Sequence, residues 1–403
     1  MHQSKVYFKG LNGLRFFAAI LVVMFHAELI RLKYGLFNLG NFSLFSSGDI
    51  GVYFFFVLSG FLITYLLLVE HANTSTINIK HFYLRRILRI WPLYYLILII
   101  GLLLMPVALR ILKIEYTFHY PLGPAALLFV LFLPNLVTPI WGSSFLTPLW
   151  SIGVEEQFYF FWAPLMKYFR KYALVIFGGI VLLRLLFYAY WHFYFNVHVD
   201  QTAHPIWSIA VTVISDLKIE LMSIGGFGAW LLYSYREKLL NLKIFNVGFQ
   251  VFLLGVIFIR LCFHKFLIAN TSWIGTIYNC LFNSFFNTVV IGVLFLWLII
   301  NISSNPKKII SADNKVLNFL GDISYGIYMF HGMVLFVTVI FLKNLLRSLS
   351  PVLASVVFYS VATGITVLVA YLSFRFFESK FLLLKHRFEP KGEKKKMNTE
   401  TVH

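Results

Sequence analysis

Ten apolar runs of about twenty residues recur along the chain, near 11–30, 48–69, 91–112, 147–167, 172–191, 208–233, 244–263, 281–301, 319–342 and 352–377. An α-helix of about twenty residues is long enough to cross the hydrocarbon core of a bilayer. Inside that core no water satisfies the backbone, so each run must close its own hydrogen bonds as a helix. The pattern therefore reads as an all-α protein, a polytopic transmembrane helix bundle of about ten spans. An eleventh run, 121–138, contains Pro121, Pro124 and Pro134. It reads as a re-entrant or interfacial segment.

Charge decides that point. Basic residues gather at Lys5 and Lys9, at Lys80, Arg85, Arg86 and Arg89, and at Lys167, Arg170 and Lys171. They gather again at Arg236, Lys238 and Lys243, at Lys307, Lys308 and Lys315, and in the tail from Lys380 onward. With 121–138 excluded, all these clusters fall on one side, which the positive-inside rule makes cytoplasmic, and both termini lie there too. Counting 121–138 as a span would put most of them outside. Lys265, Lys343 and Arg347 remain as exceptions.

Residues 1–385 read as one integral membrane domain and 386–403 as a basic, disordered cytoplasmic tail. The partner that composition demands is a lipid bilayer. The net charge of +18 brings nucleic acid to mind, but no folded soluble domain is present to bind it. Cys262 and Cys280 show no metal spacing and no disulfide framework. The first run lacks a small-residue cleavage site and reads as a retained helix. His192, His198, Asp200 and His204 fall in an outer loop and read as ordinary loop residues.

Chemistry enters through polar residues inside apolar runs, which face a bundle interior or a polar cavity. Arg15 and His26 stand eleven residues apart in the first run, near one helix face and about 16 Å apart along its axis. They suggest a polar path through the membrane. In FYLRRILRIWPLYY, Arg85, Arg86 and Arg89 can converge on one helix. Guanidinium groups grip phosphate bidentately, although positive-inside anchoring explains such a cluster equally well. In TPLWSIGVEEQFYFFW, Ser151, Glu155 and Tyr159 repeat at i, i+4 and i+8. Glu155 could orient a histidine or pair with Arg15, or form a structural ion pair. In ISYGIYMFH, Ser324, Tyr328 and His331 form a second polar stripe. Ser59 lies in LSGF, with no strand before it to make a nucleophile elbow. No P-loop, dinucleotide fingerprint, HExxH or CxxC is present, so no metal is expected.

Taken in order, LNGLRFFAAILVVMFH, GVYFFFVLSGFLI, FYLRRILRIWPLYY, PLWSIGVEEQFYFFWAPL and ISYGIYMFH resemble the membrane acyltransferase 3 family, multi-span bacterial O-acyltransferases of cell-envelope acceptors. FRFFESKF, with Glu378, is a weaker match. The resemblance covers about 10–385. It implies that His26 is the essential histidine, with Arg15 before it, and that Glu155 sits in the family's glutamate segment. It assigns Arg86 and Arg89, with Arg85 beside them, to the acyl-CoA donor, and His331 to the end of the family's SYxxYxxH-like block. Where many members carry an RFD-like block, this chain has Lys218, Ile219 and Glu220. Some members carry a C-terminal SGNH-type domain; this sequence shows no stretch resembling it, so a second catalytic domain, if needed, is expected in another protein.

The function so implied is transfer of an acyl group, acetyl by default, from cytoplasmic acyl-CoA to a hydroxyl of an envelope or exported polysaccharide or glycolipid. The setting is a bacterial inner membrane, and a homo-oligomer is compatible with the sequence. His26 would act as general base with Glu155 as its partner. The rival is a transporter or flippase for an envelope lipid or sugar. It explains the spans but not the arginine pair combined with a buried histidine.

Overall fold

The computed structural model describes residues 8–195 and 205–389, and every regular element among them is helical. His198, Asp200, His204 and residues 390–403 lie outside the described residues. Seven helices are long and apolar enough to cross a membrane: α1 (Leu11–Lys33), α2 (Gly48–Thr74), α3 (Ile79–Ile111), α6 (Arg170–Tyr194), α11 (Asn287–Ser304), α13 (Ser324–Ser348) and α14 (Pro351–Phe388). The elements between them, needed below, are α4 (Leu122–Val130 followed by Pro134–Trp141), α5 (Trp150–Tyr168), α7 (Pro205–Asp216), α8 (Ile219–Leu240), α9 (Val247–Cys262), α10 (Trp273–Phe282) and α12 (Lys315–Asp322).

Length and composition thus yield seven spans where the sequence suggested about ten. The other three runs are occupied by α5, α8 and α9. Their shortfall has plain causes. α5 carries Glu155, Glu156 and Lys167 in nineteen residues. α8 is diluted by Gly225, Gly226, Gly228, Glu220 and a polar second half. α9 has only sixteen residues, about 24 Å of helix. The run 208–233 is not one helix, because the chain breaks at Lys218, whose φ is +45°. The run 319–342 also divides, at Ile323, between α12 and α13. The proline-rich run 121–138 forms two helices of nine and eight residues, each far short of a bilayer's thickness of about 30 Å.

At the centre, α2 packs along α8 more closely than any other pair of elements. Glycine makes this possible. A Cβ placed on Gly60 would stand 1.9 Å from the Met222 carbonyl oxygen, and one on Gly225 would stand 2.0 Å from that of Val57. Lipid supplies no hydrophobic drive between helices, so close backbone approach and dispersion must hold this contact. α1, α11 and α5 also pack on α2, and α13 packs on α1. Outward-facing apolar residues such as Leu103, Val175, Leu183 and Val356 stay exposed, as helices solvated by hydrocarbon require.

Candidate active site

Two cavities lie end to end in the bundle. The first holds about 170 Å³ and reaches Leu66 and Arg86 toward the α2–α3 connection. Along α2 its lining runs from Val52 to Leu66, fourteen residues or about 21 Å of helix. Three arginines line it, Arg15 from α1 and Arg86 and Arg89 from α3. α5 contributes Ser151, Glu155 and Tyr159, and α13 contributes Ser324, Tyr325 and Tyr328. The i, i+4, i+8 spacing puts the α5 residues on one face because four residues nearly complete a turn.

Within this cavity Tyr159 donates to Glu155 Oε2 at 3.1 Å and accepts from Ser59. Arg86 lies over the Tyr159 ring, 5.9 Å from its centre. Its Nε is buried and has no hydrogen-bond partner among the described residues. Arg15 donates to Asn12 Oδ1 at 3.1 Å, and Asn12 donates in turn to Asp322 Oδ1 at 2.8 Å. Burial raises the Asp322 carboxyl above its ordinary value, against the attraction of Arg15. Glu155 therefore answers to Tyr159, and the expected contacts of Glu155 with His26 or Arg15 are not made. For His26 the reason is height, since Glu155 lines the first cavity and His26 the second; Arg15 shares the cavity with Glu155 but donates to Asn12 instead.

The second cavity, about 330 Å³, lies toward the C-terminal end of α1. His26, Lys33 and Tyr34 come from α1 and its end, Leu335 and Phe336 from α13, and Tyr116, His119, Ser143, Ser144 and Phe145 from the loops flanking α4. Tyr116 packs on Phe145 and Phe336 at centroid distances of 5.5 and 5.2 Å. Burial, then Tyr120 and Tyr34, pushes the Tyr116 phenol up, so it stays a neutral donor.

A thin septum divides the two. Ser151 Oγ and Tyr328 OH are 2.7 Å apart, and Tyr328 donates to the Pro148 carbonyl at 2.9 Å. Tyr328 and Ser151 face the first cavity, while Pro148 faces the second. His331 is fully buried beside this wall, its Nε2 3.2 Å from His26 Nδ1. Ser324 only closes its own helix turn, donating to Gly321 O at 2.7 Å.

Arg85 falls outside both cavities. It is buried, pairs with Glu70 at 2.6 Å, and donates to the Phe388 carbonyl at 2.7 Å. Residues 386–388, grouped with the tail on sequence grounds, form a helical turn docked there. Sequence reasoning set Ser59 aside and missed Asn12, Asp322, Tyr325 and Lys385 in or beside the first cavity, and Tyr116 and His119 in the second. Ser59, Tyr325 and Asp322 stand in or next to quoted motif blocks, which was their available signal. The loop residues offered none.

Fold and site together define a helical, membrane-embedded protein whose polar machinery divides into a basic cavity and a histidine-bearing cavity. The chain belongs to the acyltransferase 3 family, whose acyltransferase domain matches residues 8–375. It is similar to the peptidoglycan O-acetyltransferase of Listeria monocytogenes, 26% identical over 392 residues covering 93% of this chain and 56% of that one. A Staphylococcus aureus protein provisionally named an O-acetyltransferase is 26% identical over 94% of this chain and 58% of its own. A Bacillus subtilis protein provisionally named a peptidoglycan O-acetyltransferase is 32% identical over 168 residues, 40% of this chain and 24% of its own. The chain thus spans under three-fifths of the length of these relatives. No solved structure matches it.

Proposed function

We propose that this chain moves an acyl group, acetyl by default, from acyl-CoA in the basic cavity to a carbohydrate hydroxyl in the His26 cavity. The observation that carries this reading is the pair of cavities meeting at the Ser151–Tyr328 septum. Arg86 and Arg89, with Arg15 deeper in, hold the donor's phosphates. A cavity of about 21 Å along α2 suits an extended pantetheine arm that brings the thioester to the septum. The basic side is the cytoplasmic one in this reading, with both termini there and the membrane a bacterial inner membrane.

In the second cavity the acceptor hydroxyl gives its proton to His26 as its oxygen attacks the thioester carbonyl. The C–O bond forms, the C–S bond breaks, and His26 passes the proton to the departing thiolate. For thioester and hydroxyl to meet, the Ser151–Tyr328 contact must open. The aromatic platform of Tyr116, Phe145 and Phe336 with nearby hydroxyls suits a sugar ring, in keeping with relatives named for peptidoglycan.

The test is acetyl-CoA binding to purified protein in detergent, beside transfer assays. Arg86→Ala/Arg89→Ala should abolish saturable binding. His26→Ala should keep binding and lose transfer. Normal turnover by the histidine variant would remove it as base. No acetyl-CoA binding by folded wild-type protein would favour a different donor, or a transporter.

A further inference from the structure

His26 and His331 face each other where α1 meets α13, their ring centres 5.0 Å apart. Two backbone carbonyls bracket the pair. The Tyr328 carbonyl lies against His331 Nδ1, and the Val22 carbonyl lies 3.0 Å from His26 Nδ1. A carbonyl oxygen offers only lone pairs, so each Nδ1 must carry the hydrogen. In a neutral imidazole the other nitrogen is then bare. His331 Nε2 is therefore an acceptor, and the His26 Nδ1–H is shared between it and Val22 O. The opposite assignment sets lone pair against lone pair at both carbonyls. His26 Nε2 is left with its lone pair, on a residue that lines the second cavity.

We propose that His331 is the positioning residue for His26: it holds the Nδ1–H form and the ring's orientation, and it receives the Nδ1–H bond more strongly once Nε2 is protonated. This rests on the reading of His26 as base. When the acceptor's O–H bond breaks, its proton forms the His26 Nε2–H bond. The resulting imidazolium donates through Nδ1 to the neutral His331 Nε2, and no proton leaves the pair. His331 stays fixed because its own Nδ1–H is held by the Tyr328 carbonyl. This has the logic of a base oriented by a third group, with an imidazole in the place that a carboxylate often takes.

The test uses the full chain in detergent with 15N-labelled histidine, the His26 resonances being assigned by their loss in His26→Gln. Wild type should show a protonated Nδ1 and a bare Nε2. In His331→Leu only the Val22 carbonyl is left to hold the Nδ1–H, and the Nε2–H form should gain population at its expense. With acetyl-CoA and peptidoglycan fragments as probes, kcat should then fall about 10- to 100-fold, the scale of loss seen when a partner that orients a metal-bound histidine is removed. The donor KM should not move. His331→Gln, whose amide oxygen can accept the Nδ1–H, should recover part of kcat. A wild-type His26 protonated on Nε2 would overturn the proposal alone. So would equal losses in both variants with the His26 pattern unchanged, since His331 would then be only a packing residue. Normal transfer by His26→Ala, with the wild-type pattern as expected, would instead sink the base reading beneath it.

Discussion

Tyr328 is the residue at which the two cavities are kept apart. Its hydroxyl accepts from Ser151 and donates to the Pro148 carbonyl, so one phenol ties α13 to the start of α5. Tyr328→Phe keeps the ring and removes both bonds. It leaves the Pro148 carbonyl and Ser151 with only their long 3.4 Å contact to each other, a cost of about 1–3 kcal/mol. We expect the wall to loosen and water to reach the donor. Acceptor-free hydrolysis of acetyl-CoA should rise above that of wild type; a thiol-release assay without acceptor checks this. Much at this scale was legible. Ser151, Glu155 and Tyr159 share a wall because one helix's periodicity places them there. Arg15 and His26 fall in different cavities because eleven residues of helix separate them, so the expected single path is two chambers. The Glu155–His26 pairing failed for the same reason, since spacing along a helix says nothing of heights between helices. The His26–His331 contact joins positions 305 apart, and no local pattern could show it.

At the scale of elements, the end of α14 is fastened beneath the basic cavity. Glu70 at the end of α2 holds Arg85 of α3 and accepts from the Asn78 amide at 2.9 Å. Arg85 in turn holds the Phe388 carbonyl, and Lys385 just before it lines the cavity. Arg85 is thus a clasp between α2, α3 and α14. Breaking a buried pair on one side strands a charge and costs about 3–5 kcal/mol. Arg85→Gln and Glu70→Gln should each lower thermal stability in detergent, and the double variant should be no worse than either alone. Acetyl-CoA affinity should change by less than about threefold in Arg85→Gln, under 1 kcal/mol. Thermal melts and binding isotherms on the three variants decide it. The sequence shows three arginines in a row of turns; it does not show which are already spoken for. Helix boundaries were hidden in a similar way. Hydropathy runs straight through 208–233, but Lys218 adopts a left-handed φ that ends one helix and starts the next.

For the whole molecule, the alternation of helices ties every element to one orientation, which the proposed function takes with the basic side cytoplasmic. α1 rises from the basic side, α2 returns, and α3 rises again. In the proposed orientation the two short helices of α4 stay near the far side and α5 descends, and the α5 carbonyl of Phe160 accepts from Tyr83 near the start of α3. One added crossing at 121–138 would reverse every later element. The charge pattern predicts this parity, because the positive-inside rule keeps basic residues on the cytoplasmic face. It did not give the number of spans. A helix such as α5 that lines a polar cavity loses the apolar signature by which spans are counted. The orientation is testable with two exposed loop positions, Ser75 between α2 and α3 and Lys113 after α3. With Cys262 and Cys280 replaced by serine, Ser75→Cys should resist a membrane-impermeant maleimide in intact cells and react after permeabilisation. Lys113→Cys should react in intact cells. The reverse pattern would put the arginine cavity outside, where no acyl-CoA is made, and the donor reading would fall with it. Equal labelling at both sites in intact cells would mean that α3 does not cross at all.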